Sequence, residues 1–217
     1  MIELHNVSKA YRLKGIRKQV LDRVSLRFPA DSNVAIMGSN GSGKSTLMRL
    51  LAGAEQPDEG QVIRNVSVSW PLGFAGGFNG SMTGIENIRF IARVYGADSE
   101  AVIERVTDFA ELGQSLRLPV KTYSSGMKAR LAFGMSMAID FQCYLIDEVI
   151  AVGDENFKRK SQAMFRGKLS QSRIVMVSHS AAQIREYCQG GFLLSAASVR
   201  YFDEVDELIT AYGRSMP

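Results

Sequence analysis

The sequence has few of the features of secreted or membrane-spanning proteins. Among its 217 residues are only two cysteines, Cys143 and Cys188, too few for a disulfide framework, which suits a reducing cytoplasm. The longest apolar stretches, such as residues 131–139, are about half the length needed to cross a bilayer, so we expect no membrane span. The chain does not start with a basic segment followed by an apolar one, so we expect no signal peptide.

A strong charge of one sign is also missing. The chain has 26 Lys and Arg residues against 22 Asp and Glu residues, a net charge of +4, and the basic residues are dispersed. This balance is typical of a solvated surface and gives only weak support to nucleic-acid or membrane-surface binding. The 46% hydrophobic content supplies a core for one α/β domain. Because we find no repeat, low-complexity tract or linker, we expect a single domain over residues 1–217.

Residues 38–46 match the phosphate-binding pattern G-x-x-x-x-G-K-[ST] at every fixed position. They read Gly38-Ser39-Asn40-Gly41-Ser42-Gly43-Lys44-Ser45, followed by Thr46. An apolar strand is predicted before them over 34–37 and a helix after them over 47–51, which is the context this motif requires. Backbone N–H groups and the helix N-terminus would hold phosphates, Lys44 would reach the β and γ phosphates, and Ser45 would hold Mg²⁺. The sequence therefore predicts a nucleoside triphosphate site.

Two acids follow a predicted buried strand over residues 143–146. Asp147 and Glu148 would lie at the carboxyl end of the sheet, beside the phosphates. We expect Asp147 to hold Mg²⁺ together with Ser45. Glu148 would polarise the attacking water, a role worth about 10²–10⁴-fold in rate. The alternative interpretation is two acids that only cap a strand end.

The remaining pattern predicts an α/β fold with a mixed sheet. Alternation predicts strands over 2–7 and 24–28 with a polar turn at 13–18, which would form an N-terminal antiparallel β subdomain. Helical spacing from about 83 to 138 predicts an inserted helical subdomain. Further strands are predicted over 61–63, 66–70, 174–177, 191–194 and 199–202, and further helices over 154–169 and 203–212.

Later motifs show a family resemblance when they are taken in order. Tyr123-Ser124-Ser125-Gly126-Met127 precedes an apolar helix and alone would be typical of an ordinary N-cap. After the phosphate loop and before the acidic strand, however, it makes the chain resemble the ATP-binding-cassette (ABC) ATPases over essentially its whole length. The resemblance implies a P-loop NTPase core in which 123–127 is the signature motif, Asp154 belongs to the D loop and His179 contacts the γ-phosphate. Tyr11 matches the aromatic residue that stacks on adenine in this family.

The resemblance also implies cofactors and a second copy of the chain. In ABC ATPases two copies sandwich two ATP molecules head to tail, with Mg²⁺. Ser124, Ser125 and Gly126 of one copy would therefore act in trans on the ATP that Lys44 of the other copy holds. We expect a homodimer whose separate monomers are poorly active.

The chain is most similar to ATPases of bacterial capsular polysaccharide exporters, the KpsT/CtrD/BexA type. The residues that carry this similarity are 69–73, 75–78, 83–87, 121–127 and 147–154. The similarity implies a peripheral protein on the cytoplasmic face of the inner membrane that works through a polytopic permease subunit and, through it, with periplasmic export components. No nucleic acid is expected. Since the chain ends at Pro217, we expect no carbohydrate-binding domain of the kind that O-antigen exporters often add.

Three departures from the family pattern are interpreted as subfamily traits rather than signs of an inactive enzyme, and the missing glutamine bears on how transport is coupled to the nucleotide site. No glutamine occurs between Val62 and Gly113, and the place of the usual one falls near Phe74. The signature has Ser125 and Met127 where glycine and glutamine are usual, and the D loop has Gly153 for leucine. The residues expected to carry hydrolysis are all present, namely Lys44, Asp147, Glu148 and His179.

Other functions remain open at this point. A soluble ABC ATPase acting on nucleic acid or the ribosome is one, although such proteins usually carry two cassettes or a coiled-coil insertion, and neither is visible. An ABC exporter ATPase for O-antigen or teichoic acid is another. A small P-loop kinase would leave the signature, the D loop and the switch histidine unexplained.

Overall fold

The structure is a computed structural model that describes residues 1–13, 15–72, 77–147, 154–169 and 171–215. The chain divides into two compact units. The first unit comprises residues 1–71, 141–148 and 172–217, and the second comprises 72–140 and 149–171. The helical segment predicted at about 83–138 falls inside the second unit. The assignment of the whole chain to one nucleotide-binding domain stays a prediction.

The helices and strands follow one another along both units. In chain order they are β1 (Ile2–Leu13), β2 (Ile16–Arg27), β3 (Val34–Gly38), α1 (Lys44–Ala52), β4 (Glu59–Arg64), β5 (Val68–Leu72), α2 (Gly84–Val94), α3 (Ser99–Ala110), α4 (Ser125–Ala138), β6 (Cys143–Asp147), α5 (Glu155–Leu169), β7 (Arg173–Val177), α6 (Ala181–Tyr187), β8 (Gly190–Ser195), β9 (Ser198–Phe202) and α7 (Val205–Ser215). Two short 3-10 helices, Gly113–Arg117 and Val120–Thr122, precede α4.

The first unit begins with a three-stranded antiparallel sheet in the order β2-β1-β4. The predicted polar turn at 13–18 is too long, because backbone pairing of β1 with β2 continues through Tyr11↔Lys18 and Arg12↔Arg17 to Leu13↔Ile16. Register shifts between Leu4 and Ala10 of β1 break the alternation that would otherwise reveal these longer strands in the sequence. The hairpin therefore places Tyr11 and Lys18 opposite each other close to its tip.

The second sheet of this unit has six strands in the order β5-β6-β7-β3-β8-β9. The pairs β6–β7, β7–β3 and β3–β8 are parallel, whereas β8–β9 is antiparallel, so the sheet is mixed as predicted. All residues of β3 are buried, as expected for a central parallel strand. The carboxyl ends of β6, β7 and β3 are neighbours, and ligands of α/β sheets bind at such ends.

Helix α1 connects the two sheets through a shared apolar core. Leu47, Leu50 and Leu51 of α1 are fully buried in a cluster that includes Leu4 and Leu21 from the antiparallel sheet. The same cluster includes side chains of β3, β6, β7 and β8. Arg64 of β4 donates hydrogen bonds to the carbonyls of Leu50 and Leu51, which satisfies acceptors at the C-terminal end of α1. The helix that starts at the phosphate loop is thus fixed along its whole length.

The second unit is helical, and its sequence specifies where its helices begin. Thr83 and Glu86 form a reciprocal capping box at the start of α2, and Asp98 caps α3. Gly134 of α4 allows close packing on α3, since a Cβ atom there would lie 3.2 Å from Phe109 Cδ1. The sequence missed α6, because seven residues are too few for a recognisable helical period.

Both cysteines lie in the first unit and are buried. Cys143 begins β6, and Cys188 follows α6. Burial raises the pKa of each thiol to about 12. Within the described parts of the chain, no helix is both long and apolar enough to cross a bilayer.

Candidate nucleotide site

The phosphate loop leaves β3 at Gly38 and enters α1 at Lys44, as the motif requires. Gly43, the N-cap residue of α1, has φ = +110°, and a Cβ atom there would lie 2.4 Å from Val20 Cγ1. Only glycine fits this position. No side chain caps the helix at Gly43, and the first turn of α1 contains no acidic residue. The start of α1 therefore presents backbone N–H groups to the loop, and such groups at a helix N-terminus bind phosphate.

The ammonium group of Lys44 is held within the loop. Its Nζ donates hydrogen bonds to the carbonyl oxygens of Gly38, at 2.7 Å, and Ser39, at 3.0 Å. Ser42 closes a turn of the same loop through its backbone N–H, which donates to the Ser39 carbonyl. Its side-chain oxygen is buried, and a Cβ atom at Gly38 would lie 2.6 Å from it. Gly38, Ser39 and Ser42 thus shape the loop and orient Lys44.

A cavity of about 310 Å³ opens over the loop, within the size range of small-ligand sites. Its wall brings together most of the residues that the sequence predicted to bind nucleotide, metal or γ-phosphate. These are Tyr11, Asn40, Gly41, Gly43, Lys44, Ser45, Thr46, Asp147 and His179. Thr46 is buried, and its hydroxyl oxygen lies 3.2 Å from Tyr11 Oη.

Asp147 and His179 reach this cavity from neighbouring parallel strands. Asp147 is the last residue of β6 and pairs in register with Val177 of β7, two residues before His179. The turn after β7 is held by Ser178, whose hydroxyl donates to Gln183 Oε1 at 2.8 Å and accepts from the Ser180 N–H at 3.0 Å. Ser178 and Gln183 are positioning residues that the sequence did not reveal, because their contacts depend on the unpredicted helix α6.

Three further residues, Lys18, Val20 and Val177, also line the cavity, and Lys18 was missed because the sequence placed position 18 in a turn. Lys18 is the cross-strand partner of Tyr11, so both side chains leave the same face of the hairpin. The Nζ atom of Lys18 lies 3.2 Å from the point where a Cβ atom of Gly41 would be. The cavity therefore has a second ammonium group near its phosphate loop.

The residues of the signature motif lie in the second unit, at the start of α4. Ser124 is the N-cap residue, and its hydroxyl accepts a hydrogen bond from the Met127 N–H at 3.2 Å. Ser124, Ser125 and Gly126 are all exposed. A shallow cavity of about 650 Å³ is lined by Ser124, Gly126 and Met127 together with Glu111, Leu112, Ser115, Arg130 and Asp154.

Asp154, the predicted D-loop residue, caps α5 in this second cavity. Its carboxylate accepts from the Phe157 N–H at 3.0 Å and pairs with Arg130. The hydrogen bond from the Phe157 N–H, assisted by the Arg130 charge, holds the pKa of Asp154 below its ordinary value. Arg130 itself lies over the Phe157 ring at 4.3 Å. Asp154 is thus ionised and fixed at neutral pH.

Some predicted positions lie outside the described residues. They are Glu148, the expected catalytic base, the D-loop positions 151–153, and Phe74, the place of the missing glutamine.

The donor set in the first cavity fits Mg²⁺. Ser45 and Asp147 offer a hydroxyl and a carboxylate on the same wall. Magnesium usually takes one or two carboxylates together with substrate phosphates and waters. The described residues contain no group of three or more His, Cys, Asp or Glu side chains arranged around a metal position.

A glycine loop between a parallel strand and a helix, with Lys44, Ser45 and Asp147 on one cavity, defines a P-loop nucleotide-binding fold. A family profile described as ABC transporter matches residues 21–151, more than half of the chain. The chain belongs to the ABC transporter family, as its motifs predicted.

Curated relatives cover the full chain. The polysialic acid transport ATP-binding protein KpsT of Escherichia coli is 43% identical over 219 residues, covering 100% of both chains. The capsule polysaccharide export ATP-binding protein CtrD of Neisseria meningitidis serogroup B is 44% identical over 217 residues, again covering 100% of both. The predicted similarity to capsular export ATPases is therefore confirmed.

Among solved structures, the fold resembles a dimeric structure of a post-hydrolysis state of the ATP-binding cassette MJ0796 bound to ADP and Pi. The TM-score is 0.73 at 20% sequence identity, and the match covers 94% of this chain and 98% of that chain. This likeness confirms the predicted ABC ATPase fold.

Proposed function

We propose that this chain is the ATP-hydrolysing subunit of an ABC exporter that moves capsular polysaccharide across the bacterial inner membrane through a separate permease. The observation that carries the proposal is the 43–44% identity, over the full length of each chain, to two proteins named for polysaccharide transport or export. The cavity over the phosphate loop supports the ATPase part independently, since it collects Lys44, Ser45, Asp147 and His179.

In this proposal each cavity residue has a defined task. The N–H groups at the start of α1 and the Lys44 ammonium bind the β and γ phosphates. Ser45 and Asp147 hold Mg²⁺, which when bound neutralises charge that develops on the phosphates. His179 contacts the γ-phosphate, and Glu148 orients and deprotonates the attacking water. Tyr11 stacks on the adenine ring.

The proposal needs a second copy of the chain. Ser124, Ser125 and Gly126 are exposed at a helix N-terminus, where N–H groups attract anions. Two copies placed head to tail would bring this helix start to the γ-phosphate bound by the other copy. The dimeric assembly of the structural neighbour supports this arrangement.

A polytopic permease subunit would receive the mechanical work of dimer closure, and through it the chain would cooperate with periplasmic export components. We place the chain on the cytoplasmic face of the inner membrane, as a peripheral subunit. Support comes from the names of the full-length relatives. Opening and closing of the dimer would move the second unit together with the permease.

The site assignment is tested with two variants that fail at different steps. Glu148→Gln should leave ATP binding intact but slow hydrolysis by about 10²–10⁴-fold and trap an ATP-bound dimer. Lys44→Ala should weaken ATP binding itself. Binding calorimetry, phosphate release and sedimentation velocity measure these effects, with the exposed Lys158→Ala as a control lysine outside the cavity. Wild-type hydrolysis rates in both site variants would contradict the assignment.

The transport assignment needs a second experiment. The chain is co-purified in detergent with the polytopic membrane protein encoded by the neighbouring gene, and hydrolysis is measured with and without that protein. We expect the permease to change the turnover rate. A hydrolysis rate that is unchanged by the permease but changes on addition of RNA or DNA would favour the soluble nucleic-acid ATPase instead.

A further inference from the structure

The hydroxyl group of Tyr11 is held by a polar cluster at the edge of the nucleotide cavity. Tyr11 Oη donates to the Glu55 carboxylate, with both carboxylate oxygens at 2.8 Å. The same oxygen accepts a hydrogen bond from Arg49 Nη2 at 2.8 Å. Arg49 Nε in turn donates to Glu55 Oε2 at 2.9 Å. Each of the three groups therefore contacts the other two, and the phenol has one fixed orientation.

The charges of this cluster favour that orientation. The Glu55 side chain is only 20% exposed and also pairs with Lys9 at 3.2 Å. Burial alone would raise the pKa of Glu55, but hydrogen bonds from Arg49, Tyr11 and Lys9 outweigh it and lower that pKa. The carboxylate is thus ionised at neutral pH and accepts the single phenol proton in a charge-assisted hydrogen bond.

Helix α1 contributes to this cluster and also begins at the phosphate loop. Arg49 and Thr46 both belong to α1, and Arg49 Nη2 also lies within hydrogen-bond distance of Thr46 Oγ1, at 3.3 Å. Thr46 is the residue after Ser45. The ring of Tyr11 is therefore fixed to the same helix whose first turn would bind the phosphates.

We propose that Glu55, together with Arg49, is a positioning residue of the nucleotide site that holds the Tyr11 ring ready for the base. This inference rests on the proposed role of Tyr11 as the adenine contact. A ring that is already fixed loses little conformational freedom when the base stacks on it, so binding is tighter than with a free ring. Because the effect acts through the base, it concerns ATP and not a phosphate chain alone.

The test compares ATP with inorganic tripolyphosphate, which has the phosphates but no base. Calorimetry would give both dissociation constants for the wild type, Glu55→Ala, Glu55→Gln, Tyr11→Phe and Tyr11→Ala. We expect Glu55→Ala to weaken ATP binding roughly two- to tenfold, the cost of immobilising one side chain, and to leave tripolyphosphate binding unchanged. Glu55→Gln keeps an acceptor for the phenol and should lie between the wild type and Glu55→Ala.

Tyr11→Phe is a second test variant, in case Glu55→Ala does not fold. This variant keeps the aromatic ring and the Glu55 ion pairs but removes the hydroxyl, so it should weaken ATP binding about as much as Glu55→Ala does. In the double variant that combines Tyr11→Phe with Glu55→Ala, the loss of Glu55 should not weaken ATP binding beyond the effect of Tyr11→Phe alone. Glu3→Gln is the matched control, since Glu3 also pairs within the antiparallel sheet, with Arg27 at 2.9 Å, but lies away from the cavity.

The outcomes separate this inference from the proposed function. If Tyr11→Ala weakens ATP binding while Glu55→Ala and Tyr11→Phe lower only the melting temperature, the cluster is structural and the inference is wrong. If Tyr11→Ala leaves ATP binding unchanged, the adenine contact is wrong and the inference fails with it. If the wild type binds tripolyphosphate but not ATP, the proposed ATPase function fails.

Discussion

The chain contains two helix starts rich in serine and glycine, and they are built differently. At the start of α1 the cap is Gly43 in a left-handed conformation with no side-chain hydrogen bond, and Lys44 follows at once. At the start of α4 the cap is Ser124, whose hydroxyl already takes the Met127 N–H, and the glycine at position 126 needs no special conformation. The first start has no side-chain cap, whereas the second has one N–H donor satisfied by the side chain of its own cap residue.

This difference predicts how strongly each start can hold phosphate alone. The start of α1 combines donors, helix dipole and Lys44, so it is a complete anion site. The start of α4 has no acidic residue in its first turn, and residues 124–126 are exposed. These features are compatible with the proposal that it acts on a ligand already bound by another copy.

The largest expected effect comes from mixing two inactive variants. Lys44→Ala and Gly126→Arg should each lower hydrolysis roughly 10²–10³-fold, the usual cost of losing a group that stabilises developing charge. In an equal mixture that pairs at random, half of the dimers are heterodimers. If the helix start of α4 acts in trans, each heterodimer has one intact site. Activity should then recover to about a quarter of the wild-type rate. Phosphate release across a series of mixing ratios would measure this recovery.

Gly126→Arg is suitable because the chain tolerates a side chain at this position. Among the described residues, the only neighbour within 4 Å of a Cβ atom there is Ser124 Oγ at 3.9 Å. Circular dichroism should therefore show a folded protein. Absence of recovery at every ratio, with both variants folded, would contradict the trans arrangement.

The second prediction compares the glycines themselves. Gly43→Ala places a Cβ atom against Val20 at φ = +110°, and the strain of about 1–3 kcal/mol should weaken ATP binding about 5–160-fold. Gly126→Ala adds a good helix former where there is space, so the melting temperature should stay the same or rise. Calorimetry and thermal melts of both variants provide the comparison. Equal loss of ATP affinity in the two variants would show that the helix starts do not differ as described.

The smallest expected effect concerns the second ammonium group of the phosphate-loop cavity. Lys18→Gln should raise the dissociation constant for ATP up to about fivefold, since an exposed charge contributes about 1 kcal/mol or less. The effect should shrink at high salt because exposed charges are screened. Arg17→Gln is the control, as Arg17 is the residue before Lys18 in β2 and does not line the cavity. Equal effects of the two substitutions would mean that Lys18 acts only through net charge.

Local sequence was enough to find the parts of the site that are continuous in the chain. The phosphate loop, the acid that ends β6 and the capped start of α4 each depend on residues within one short stretch. Lys18 could not be assigned, because register shifts in β1 hide the length of the hairpin and so the face on which position 18 lies. Alternation is reliable only where the strand is regular.

Contacts between residues that are far apart in the chain could not be predicted from the sequence. Tyr11 and Glu55 are 44 positions apart and meet only because β1 and the segment after α1 are brought to one side of the cavity. Glu55 stands in a stretch rich in turn formers, where an acid is usually solvated. Nothing in its neighbours along the chain indicates that it holds an aromatic side chain.

The buried thiols of Cys143 and Cys188 have a practical consequence for studying this protein. A thiol with a pKa of about 12 is almost entirely uncharged at neutral pH, and only the thiolate reacts rapidly with alkylating reagents. The folded protein should therefore resist labelling, so that a cysteine introduced at position 126 or 158 could carry a fluorophore without removal of the native ones. Slow labelling of the native pair would report instead on how often the sheet opens.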